Sequence, residues 1–287
     1  MLYYYAHTGH KIGLDRAKRG AAVIKALAKE GVEAQLLLND FRAGVALKEH
    51  GIREYVTIET IQDIDAIAQT GDSVIIDSNE DDHGRLVKYV SDFKHVWRFA
   101  HDSEDHSIHG EVLFKAACEE ESCLEAVIVD DAYFEPSAKE ERLLFFLGDS
   151  DHDKTLLGNV DFFQNFEMEL LLGHYFFVKY EDALAKLFTI LHEPEEYMDL
   201  IQSSSTVVTA SAQTAVEAKA SGAKVVYLEL GETPLYPSTL LKQYGIGMVK
   251  GFDVRQMQDA IKAENSVAER EIKKINIKKI TDIYQKD

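Results

Sequence analysis

The stretch that decides the fold lies at the start of the chain, where residues 2–38 read LYYYAHTGHKIGLDRAKRGAAVIKALAKEGVEAQLLL. Leu2 to Ala6 and Ala34 to Leu38 are short runs of aromatic or aliphatic residues, a pattern that predicts two strands. Between them Ala17 to Lys29 has the spacing of an amphipathic helix, and Gly31 follows it as helix-ending glycines do. A strand, a helix and a second strand predict two parallel strands joined by a helical crossover.

The same alternation continues along the chain. Strands are predicted at Tyr55 to Ile58, Ser73 to Ile76 and His95 to Phe99, and two more short apolar runs lie between residues 112 and 130. The polar stretch from Glu135 to Glu141 follows and contains one of only 4 prolines. We interpret this stretch as a domain boundary, with an N-terminal domain over residues 1–136 and a C-terminal domain over residues 137–287.

A second series of elements is predicted after the boundary. Its strands are Leu143 to Leu147, Glu169 to Leu172, Leu187 to Ile190, Thr206 to Thr209, Lys224 to Leu228 and Ile246 to Val249. Its helices are Glu195 to Gln202, Thr214 to Ser221 and Val254 to Lys262, and the Lys-rich tail after Ala268 predicts a terminal helix. The fold class is therefore α/β, with two Rossmann-like domains that each carry a parallel sheet and face a common cleft.

Composition excludes several classes of function. The chain has 287 residues, of which 46% are hydrophobic, so it can bury sizeable cores. Its net charge of −19 would repel polyphosphate, and we expect no nucleic-acid partner. No apolar run reaches the roughly 18 residues of a membrane span, and no secretory signal begins the sequence, so we expect a cytoplasmic protein. Cys118 and Cys123, with four residues between them, are expected to be reduced.

Ligands in open parallel sheets bind beyond the carboxyl ends of the strands, so the loops after the strands are the first candidates for a site. The loop from His7 to Arg16 contains two glycines and, besides His7, the side chains of His10, Lys11 and Arg16. It lies at a helix start, where backbone N–H groups and the helix dipole attract anions. The loop predicts a phosphate or anion site, and the alternative is an ordinary turn before a solvated helix face.

Two loops of the second domain have a similar character. Gly148-Asp149-Ser150-Asp151 follows a predicted strand, and it indicates either a binding loop or a helix cap. The segment from Ser211 to Thr214 suits a phosphate at a helix start, and Glu217 is spaced to accept hydrogen bonds from a ribose. The alternative is a capping box formed by Thr214 and Glu217, in which Glu217 would be structural.

The loop from His101 to His109 contains three histidines and three carboxylates. These residue types can ligate a divalent metal, although their spacing matches no familiar ligand pattern. A His–Asp pair poised for proton transfer is a second interpretation, and a solvated acidic loop is a third.

Together these loops resemble the GT-B superfamily of nucleotide-sugar enzymes, and most closely the family of UDP-sugar hydrolases of pseudaminic acid biosynthesis. The family's Ile-Gly-x-Gly-His-x-x-Arg resembles Ile12 to Arg19, and its Gly-Gly-[Ser/Thr]-Asp resembles Gly148 to Asp151. Its Asp-Asp-x-x-x-x-x-His stretch is similar to Asp102 to His109, and its Ile-Asp to Ile76-Asp77. The superfamily motif Gly-Ala-x-Thr-x-x-Glu-x-x-x-x-Gly, which binds uridine phosphates and ribose, resembles Ser211 to Gly222.

The resemblance implies a set of site residues. Those expected to bind substrate are Gly13, Asp77, Asp102, His109, Gly148, Ser150, Asp151, Ser211, Gln213, Thr214 and Glu217. The family's Gly-His is replaced here by Asp15-Arg16, and a guanidinium cannot act as a base near neutral pH. We therefore expect His10 or Asp15 to act as the base, and Arg16 to clamp a diphosphate. No cofactor and no metal is required by this chemistry.

The resulting hypothesis is an enzyme that binds a UDP-sugar and hydrolyses or transfers the sugar at its anomeric C–O bond, in surface-glycan or flagellin-glycan biosynthesis of the nonulosonic acid type. A second hypothesis is a non-catalytic nucleotide-sugar-binding or assembly protein of the same pathway, which the loss of Gly-His favours. A third is a metal-dependent hydrolase built on His101, Asp102, His106 and His109. In the first two, the partner is a small-molecule nucleotide sugar.

Overall fold

The computed structural model of the protein describes residues 1–118, 123–176, 180–231, 235–263 and 268–285. The chain divides into two compact units. Unit 1 comprises Met1–Asp130 and Lys274–Asp287, and unit 2 comprises Asp131–Lys273. Within the described ranges, no helix combines the length and the apolar character needed to cross a membrane.

Unit 1 is built on a parallel sheet of seven strands. In chain order the strands are β1 (Leu2–Ala6), β2 (Ala34–Leu38), β3 (Tyr55–Thr57), β4 (Ser73–Asp77), β5 (His95–Phe99), β6 (Val112–Lys115) and β7 (Leu124–Glu125). Their order across the sheet is β3-β2-β1-β4-β5-β6-β7, and every neighbouring pair is parallel. The predicted first strand, helix and second strand are confirmed, with Tyr4 of β1 opposite Leu36 of β2.

The helices of unit 1 cover the apolar faces of this sheet. Those within residues 1–130 are α1 (Asp15–Lys29), α2 (Phe41–Ala46), α3 (Ile64–Ile67) and α4 (Arg85–Asp92). On one face Tyr5, Leu37 and Ile76 pack with Ile64 of α3 and Tyr89 of α4. Burial of these side chains supplies most of the stabilisation of such a layer, at roughly 25 cal/mol per Å² of apolar surface removed from water.

Unit 2 repeats the arrangement with six parallel strands. The strands are β8 (Glu140–Phe146), β9 (Glu169–Leu171), β10 (Leu191–His192), β11 (Ser204–Thr209), β12 (Lys224–Glu229) and β13 (Gly247–Lys250), in the order β10-β9-β8-β11-β12-β13. The helices are α5 (Thr155–Gly158), α6 (Val160–Phe163), α7 (Glu181–Leu184), α8 (Tyr197–Ser203), α9 (Ala212–Ala220), α10 (Ser238–Gln243) and α11 (Val254–Lys262). The predicted α/β class with two parallel sheets is confirmed.

One predicted strand is wrong. The run Leu187 to Ile190 forms turns after α7, and the strand is the two-residue β10 that follows it. Phe188 is buried against the rings of Phe145 and Phe163, so the apolar character of this run belongs to a core contact made by a turn. A short apolar run does not by itself distinguish these two uses.

The units divide at a different place from the predicted boundary at residues 136 and 137. Residues 131–134 form a short 3-10 turn that contacts α9, and Gln202 donates a hydrogen bond to the carbonyl of Ala132. The terminal helix α12 (Lys278–Gln285) belongs to unit 1, where the Lys279 ammonium bonds the carbonyl of Cys123. Both differences arise because contacts, which sequence composition does not reveal, decide which unit a segment joins.

The cysteines also differ from the expectation. Cys118 and Cys123 form a disulfide bond, with their Cα atoms 5.8 Å apart. This separation is within the ordinary range for a bridge. They lie close together because Cys118 follows β6 and Cys123 precedes β7, and these two strands are paired.

Gly20 provides a test of the packing of α1 on β1. A Cβ atom at Gly20 would lie 2.7 Å from Cε1 of Tyr4, whose ring is fully buried and whose hydroxyl is held by Asp77. We expect Gly20→Ala to lower the free energy of unfolding of unit 1 by about 1–3 kcal/mol, because the ring cannot move aside. Urea denaturation measures the change.

Gly158→Ala is the matched control, because Gly158 also lies in a helix and a Cβ atom there meets nothing within 4 Å. We expect that variant to be as stable as the wild type or slightly more stable. Equal free energies of unfolding for the two variants would contradict the close packing of Gly20 on Tyr4.

Candidate functional site

Each sheet reverses its strand order at one point, and ligands in open parallel sheets bind at such topological switch points. In unit 1 the reversal lies between β1 and β4, and in unit 2 it lies between β8 and β11. The loops that follow these four strands define two candidate sites. Switch site 1 comprises residues 7–16 and 78–80, and switch site 2 comprises residues 148–151 and 210–214. Three of the four loops singled out from sequence therefore lie at switch points.

A buried ion pair lies beneath switch site 1. Asp77, at the end of β4, is 1% exposed and accepts hydrogen bonds from Arg19, with Nε to Oδ2 at 2.8 Å and Nη2 to Oδ1 at 2.5 Å. The Tyr4 hydroxyl donates to the same carboxylate at 2.8 Å. The Arg19 guanidinium also stacks 3.7 Å from the centre of the Phe99 ring and donates to the Ala126 carbonyl. Asp77 thus neutralises the Arg19 charge, and the Phe99 ring and the Ala126 carbonyl give it further favourable contacts.

This pair changes the interpretation of Asp77. The sequence predicts Asp77 as a substrate contact, whereas the structure occupies both of its oxygens with Arg19 and Tyr4. Arg16 lies above it, with Nε 3.5 Å from Oδ1. This contact suits a supporting role in which Asp77 holds Arg16 in position, and a contact of Asp77 with substrate stays a prediction.

The predicted catalytic loop forms a tight turn above this pair. The N–H groups of Ile12 and Gly13 both donate to the Gly9 carbonyl, at 2.9 and 2.7 Å. His10 is exposed at the tip of the turn, and Asp15 is half-buried at the first position of α1. The roles proposed for His10, Gly13, Asp15 and Arg16 stay predictions.

Sequence reasoning missed a second cluster in switch site 1. His7, the first residue after β1, has Nδ1 2.8 Å from Oδ1 of Asn79, and Nε2 3.9 Å from Oε1 of Glu80. The other oxygen of Glu80 accepts hydrogen bonds from Tyr5 at 2.6 Å and from Ser78 at 2.8 Å. Burial, followed by the bond to Glu80, raises the pKa of Tyr5 far above its usual value, so the phenol stays protonated. The sequence signal that could have revealed this cluster is the position of residues 78–80, which directly follow the central strand β4.

The acidic loop after β5 is organised around Arg98. Arg98 is 6% exposed, and its guanidinium bonds Asp105 through both terminal nitrogens and Glu111 through Nε. Glu111 also accepts from the backbone N–H groups of Ile108 and His109. Burial alone would raise the pKa of Asp105, but the bond from Arg98 and that from the His101 N–H lower it to about 2.

This arrangement bears on the predicted roles of Asp102 and His109 and on the predicted metal site. Asp102 accepts a bond from the Glu104 N–H within an exposed turn, and the His109 contact uses the backbone rather than the ring. Among the described residues, no group of three or more His, Cys, Asp or Glu side chains is arranged to hold a metal ion. Within the described residues, His101, Asp102, His106 and His109 thus do not form such a group. The substrate roles of Asp102 and His109 stay predictions.

At switch site 2, Asp151 binds the start of α5. It accepts bonds from the N–H groups of Thr155 and Leu156 and from the Tyr180 hydroxyl, so it satisfies the first N–H groups of the helix although Lys154 holds the N-cap position, and its contact with substrate stays a prediction. Gly173 must lack a side chain because a Cβ atom there would lie 2.4 Å from the Asp149 carbonyl. The Tyr175 N–H bonds that same carbonyl at 2.9 Å. The backbone of the loop is thereby fixed, with Gly148 and Ser150 half-buried on it.

The second half of switch site 2 is the start of α9. Ser211 caps the helix by accepting from the Thr214 N–H at 3.0 Å and from the Thr214 hydroxyl at 2.8 Å. This cap is one helical turn earlier than the predicted capping box of Thr214 and Glu217.

Glu217 is buried within a polar network rather than open to a ribose. It is 2% exposed, and its oxygens accept from the Tyr197 hydroxyl at 2.6 Å and from the Gln213 amide at 2.8 Å. Tyr236 donates to the Gln213 oxygen, and Tyr197 also contacts Thr214. The interpretation of Glu217 as structural is the one this geometry favours, and its contact with a ribose stays a prediction.

Comparison with known proteins finds similarity in structure but not in sequence. No family model and no curated protein sequence matches the chain. The UDP-GlcNAc 2-epimerase of Methanocaldococcus jannaschii, in complex with UDP-GlcNAc and UDP, is similar with a TM-score of 0.60 and 11% identity, over 100% of both chains. The fold is GT-B-like.

Two further structures agree with this GT-B-like fold. The UDP-GlcNAc 2-epimerase of Neisseria meningitidis bound to UDP-GlcNAc has a TM-score of 0.54 and 12% identity over 100% of both chains. The spinosyn rhamnosyltransferase SpnG, complexed with thymidine diphosphate, has a TM-score of 0.57 and 11% identity, covering 91% of this chain and 89% of its own. At such identities the similarity shows the fold alone.

The Asp105 carboxylate predicts a pH dependence of stability. Its folded pKa of about 2 lies below the ordinary 3.8, so it adds stability above about pH 4 that is lost as the pH falls towards 2. We expect Asp105→Asn to be less stable than the wild type near pH 6, and the gap to narrow between about pH 4 and pH 2. Urea denaturation across this range measures it, and the exposed Asp259→Asn is the control. A gap that does not change with pH would contradict the assignment.

The network around Glu217 predicts a structural effect. Glu217→Ala removes the acceptor of Tyr197 and Gln213, and leaving buried groups unsatisfied costs about 1–3 kcal/mol each. We expect a clear fall in the free energy of unfolding of unit 2, measured by chemical denaturation. Glu195→Ala, at an exposed position, should leave stability almost unchanged. A stable Glu217→Ala protein that has lost nucleotide binding would instead support the ribose role.

Proposed function

We propose that the protein binds a nucleoside diphosphate sugar, with switch site 2 as the candidate site for the nucleotide. The single observation that carries the proposal is that the chain's small-residue loops and its cationic loop fall at the two switch points of its sheets. The GT-B-like fold supports it, since proteins of similar fold were solved with UDP, UDP-GlcNAc or thymidine diphosphate.

Switch site 2 offers groups suited to a diphosphate. Gly148 and Ser150 follow β8, and α9 begins beside them after β11 with its axis dipole positive at that end. Backbone N–H groups at such a position bind phosphate oxygens without requiring a cation, which suits a chain of net charge −19.

Switch site 1, taken by itself, offers a cation for an anionic group. Arg16 contacts Asp77 through Nε, and a guanidinium can bind a phosphate through its two terminal nitrogens at the same time. When the anomeric C–O bond breaks, negative charge develops on the diphosphate, and a preorganised cation stabilises it in the transition state.

The reaction that follows from these parts is hydrolysis or transfer of the sugar at its anomeric carbon. From the resemblance of its loops to the pseudaminic acid hydrolase family, we propose that the reaction belongs to surface-glycan or flagellin-glycan biosynthesis of the nonulosonic acid type. The second candidate is a non-catalytic nucleotide-sugar-binding protein of that pathway, which Asp15-Arg16 in place of Gly-His favours. Turnover of a nucleotide sugar separates the two.

Binding of UDP tests the proposal directly. A ligand at about 100 times its Kd adds about 2.7 kcal/mol to the free energy of unfolding, which a thermal melt detects readily. We expect UDP to raise the melting temperature, and Ser150→Asp to weaken UDP binding by about tenfold or more, because it places a carboxylate beside the phosphates. Calorimetric titration with UDP measures the second effect.

Ser137→Asp is the matched control, because it adds the same charge at an exposed position of the same unit. It should bind UDP like the wild type. No melting shift with millimolar UDP, UDP-GlcNAc or thymidine diphosphate would contradict the proposal, and equal weakening by both variants would contradict the location.

A further inference from the structure

We propose that thiol–disulfide exchange at Cys118 and Cys123 controls the docking of the terminal helix α12 on unit 1. The bond lies at an edge of the seven-stranded sheet, where Cys123 directly precedes β7. β7 is two residues long, and within the described part of the chain it pairs with β6 alone. So short a ladder holds a strand weakly, because each hydrogen bond contributes little net stability. The covalent bond to Cys118 is therefore a main restraint on the start of β7.

Cys123 connects this edge to the terminal helix. Its carbonyl accepts a hydrogen bond from the Lys279 ammonium of α12 at 3.4 Å. Three residues later, the Ala126 carbonyl accepts a hydrogen bond from Nη1 of Arg19 at 3.2 Å. A shift of the backbone at Cys123 therefore changes the contact with α12 directly, whereas the chain from Ala126 onwards keeps its own anchor on Arg19.

Helix α12 depends on docking for its structure. It has eight residues, and Ile280 and Thr281 are buried, as is Ile277 just before the helix. A helix of this length is unstable in water by itself, and chain ends stay ordered only where they are tied down. Loss of the contact at Cys123 therefore shifts α12 towards an undocked and unfolded state.

The bond closes a small loop, with four residues between the two cysteines. The stabilisation that a disulfide gives to a whole fold grows with the length of the loop that it closes. Residues 126–129 are all buried and supply their own packing on unit 1. We therefore expect reduction to loosen β7 and α12 while the rest of unit 1 stays folded, which a reversible control requires.

The exchange uses a dithiol reductant and proceeds in two steps. Cys118 is half-buried and Cys123 is buried, so we expect the first thiolate of the reductant to attack Sγ of Cys118. A mixed disulfide forms there, and the electron pair of the broken bond leaves with Sγ of Cys123, which takes a proton.

In the second step the other thiolate of the reductant attacks the reductant's own sulfur in the mixed disulfide. Sγ of Cys118 then leaves with the electron pair and takes a proton. The protein gains two electrons and two protons in total, and the reductant becomes an intramolecular disulfide. A disulfide oxidant such as oxidised glutathione reverses the exchange.

Trypsin digestion of the full chain in its oxidised and dithiothreitol-reduced forms is the main test. Lys278 and Lys279 are exposed, but a docked helix resists cleavage because a protease needs locally unfolded backbone. We expect cleavage after these lysines to be about tenfold or more faster in the reduced form, since cleavage follows the population of the open state. Lys242 is the internal control, because it is also exposed but lies on α10 of unit 2, where both forms should be cleaved at equal rates. Mass spectrometry identifies the cleavage sites.

A variant without the bond separates the disulfide from other effects of the reductant. Cys118→Ser combined with Cys123→Ser removes both of the 2 cysteines of the chain. We expect α12 of this variant to be cleaved at the rate of the reduced wild type, with or without dithiothreitol. Should the variant not fold, the two redox forms of the wild type still give the test. A colorimetric thiol count on the wild type verifies which form is present.

Four results would overturn the role of the bond. The first is an equal rate of α12 cleavage in the oxidised and reduced wild type. The second is an effect of dithiothreitol that persists in the variant without cysteines. The third is a rise in cleavage at Lys242 as large as that in α12, since reduction would then loosen the whole chain. The fourth is a wild type whose thiols both stay free in oxidised glutathione.

Discussion

The buried pair of Arg19 and Asp77 is the interaction on which the site of unit 1 depends. It joins α1 to the end of β4. The Asp77 carboxylate of the pair also accepts a hydrogen bond from Tyr4 and contacts Arg16. Removing one member would leave a buried charge without its partner, which typically costs 3–5 kcal/mol. The pair therefore sets the positions of the first helix and of two strands whose ends hold the candidate catalytic groups.

Much of the fold was predictable from residues alone, and the exceptions share one cause. β1, β2 and β5 have the predicted bounds because alternating strands and helices have distinct periods. The strand predicted over Leu187 to Ile190 is wrong because a buried turn and a strand use the same apolar residues. The Cys118–Cys123 bond and the docking of α12 depend on which segments meet in space, and neither local composition nor spacing carries that information.

The side-chain contacts of the candidate sites were likewise not predictable from the sequence. The sequence predicts three loops that the structure places at the switch points, because loops after strands are short and rich in Gly, Ser and charged residues. It could not predict that Glu217 and Asp151 turn inwards to Tyr197 and Tyr180, since both tyrosines lie on other elements. For the same reason the sequence does not reveal that His7 lies beside Asn79 and Glu80, which are more than 70 residues away along the chain.

The return of α12 to unit 1 has a consequence for synthesis on the ribosome. Unit 2 is a continuous segment, whereas unit 1 is formed from residues 1–130 and 274–287. Ile280 and Thr281 of α12 are buried, so unit 1 completes its packing only after residues 274–287 have emerged. Unit 2 can fold before then, so unit 1 is completed after unit 2 although β1 is made before it.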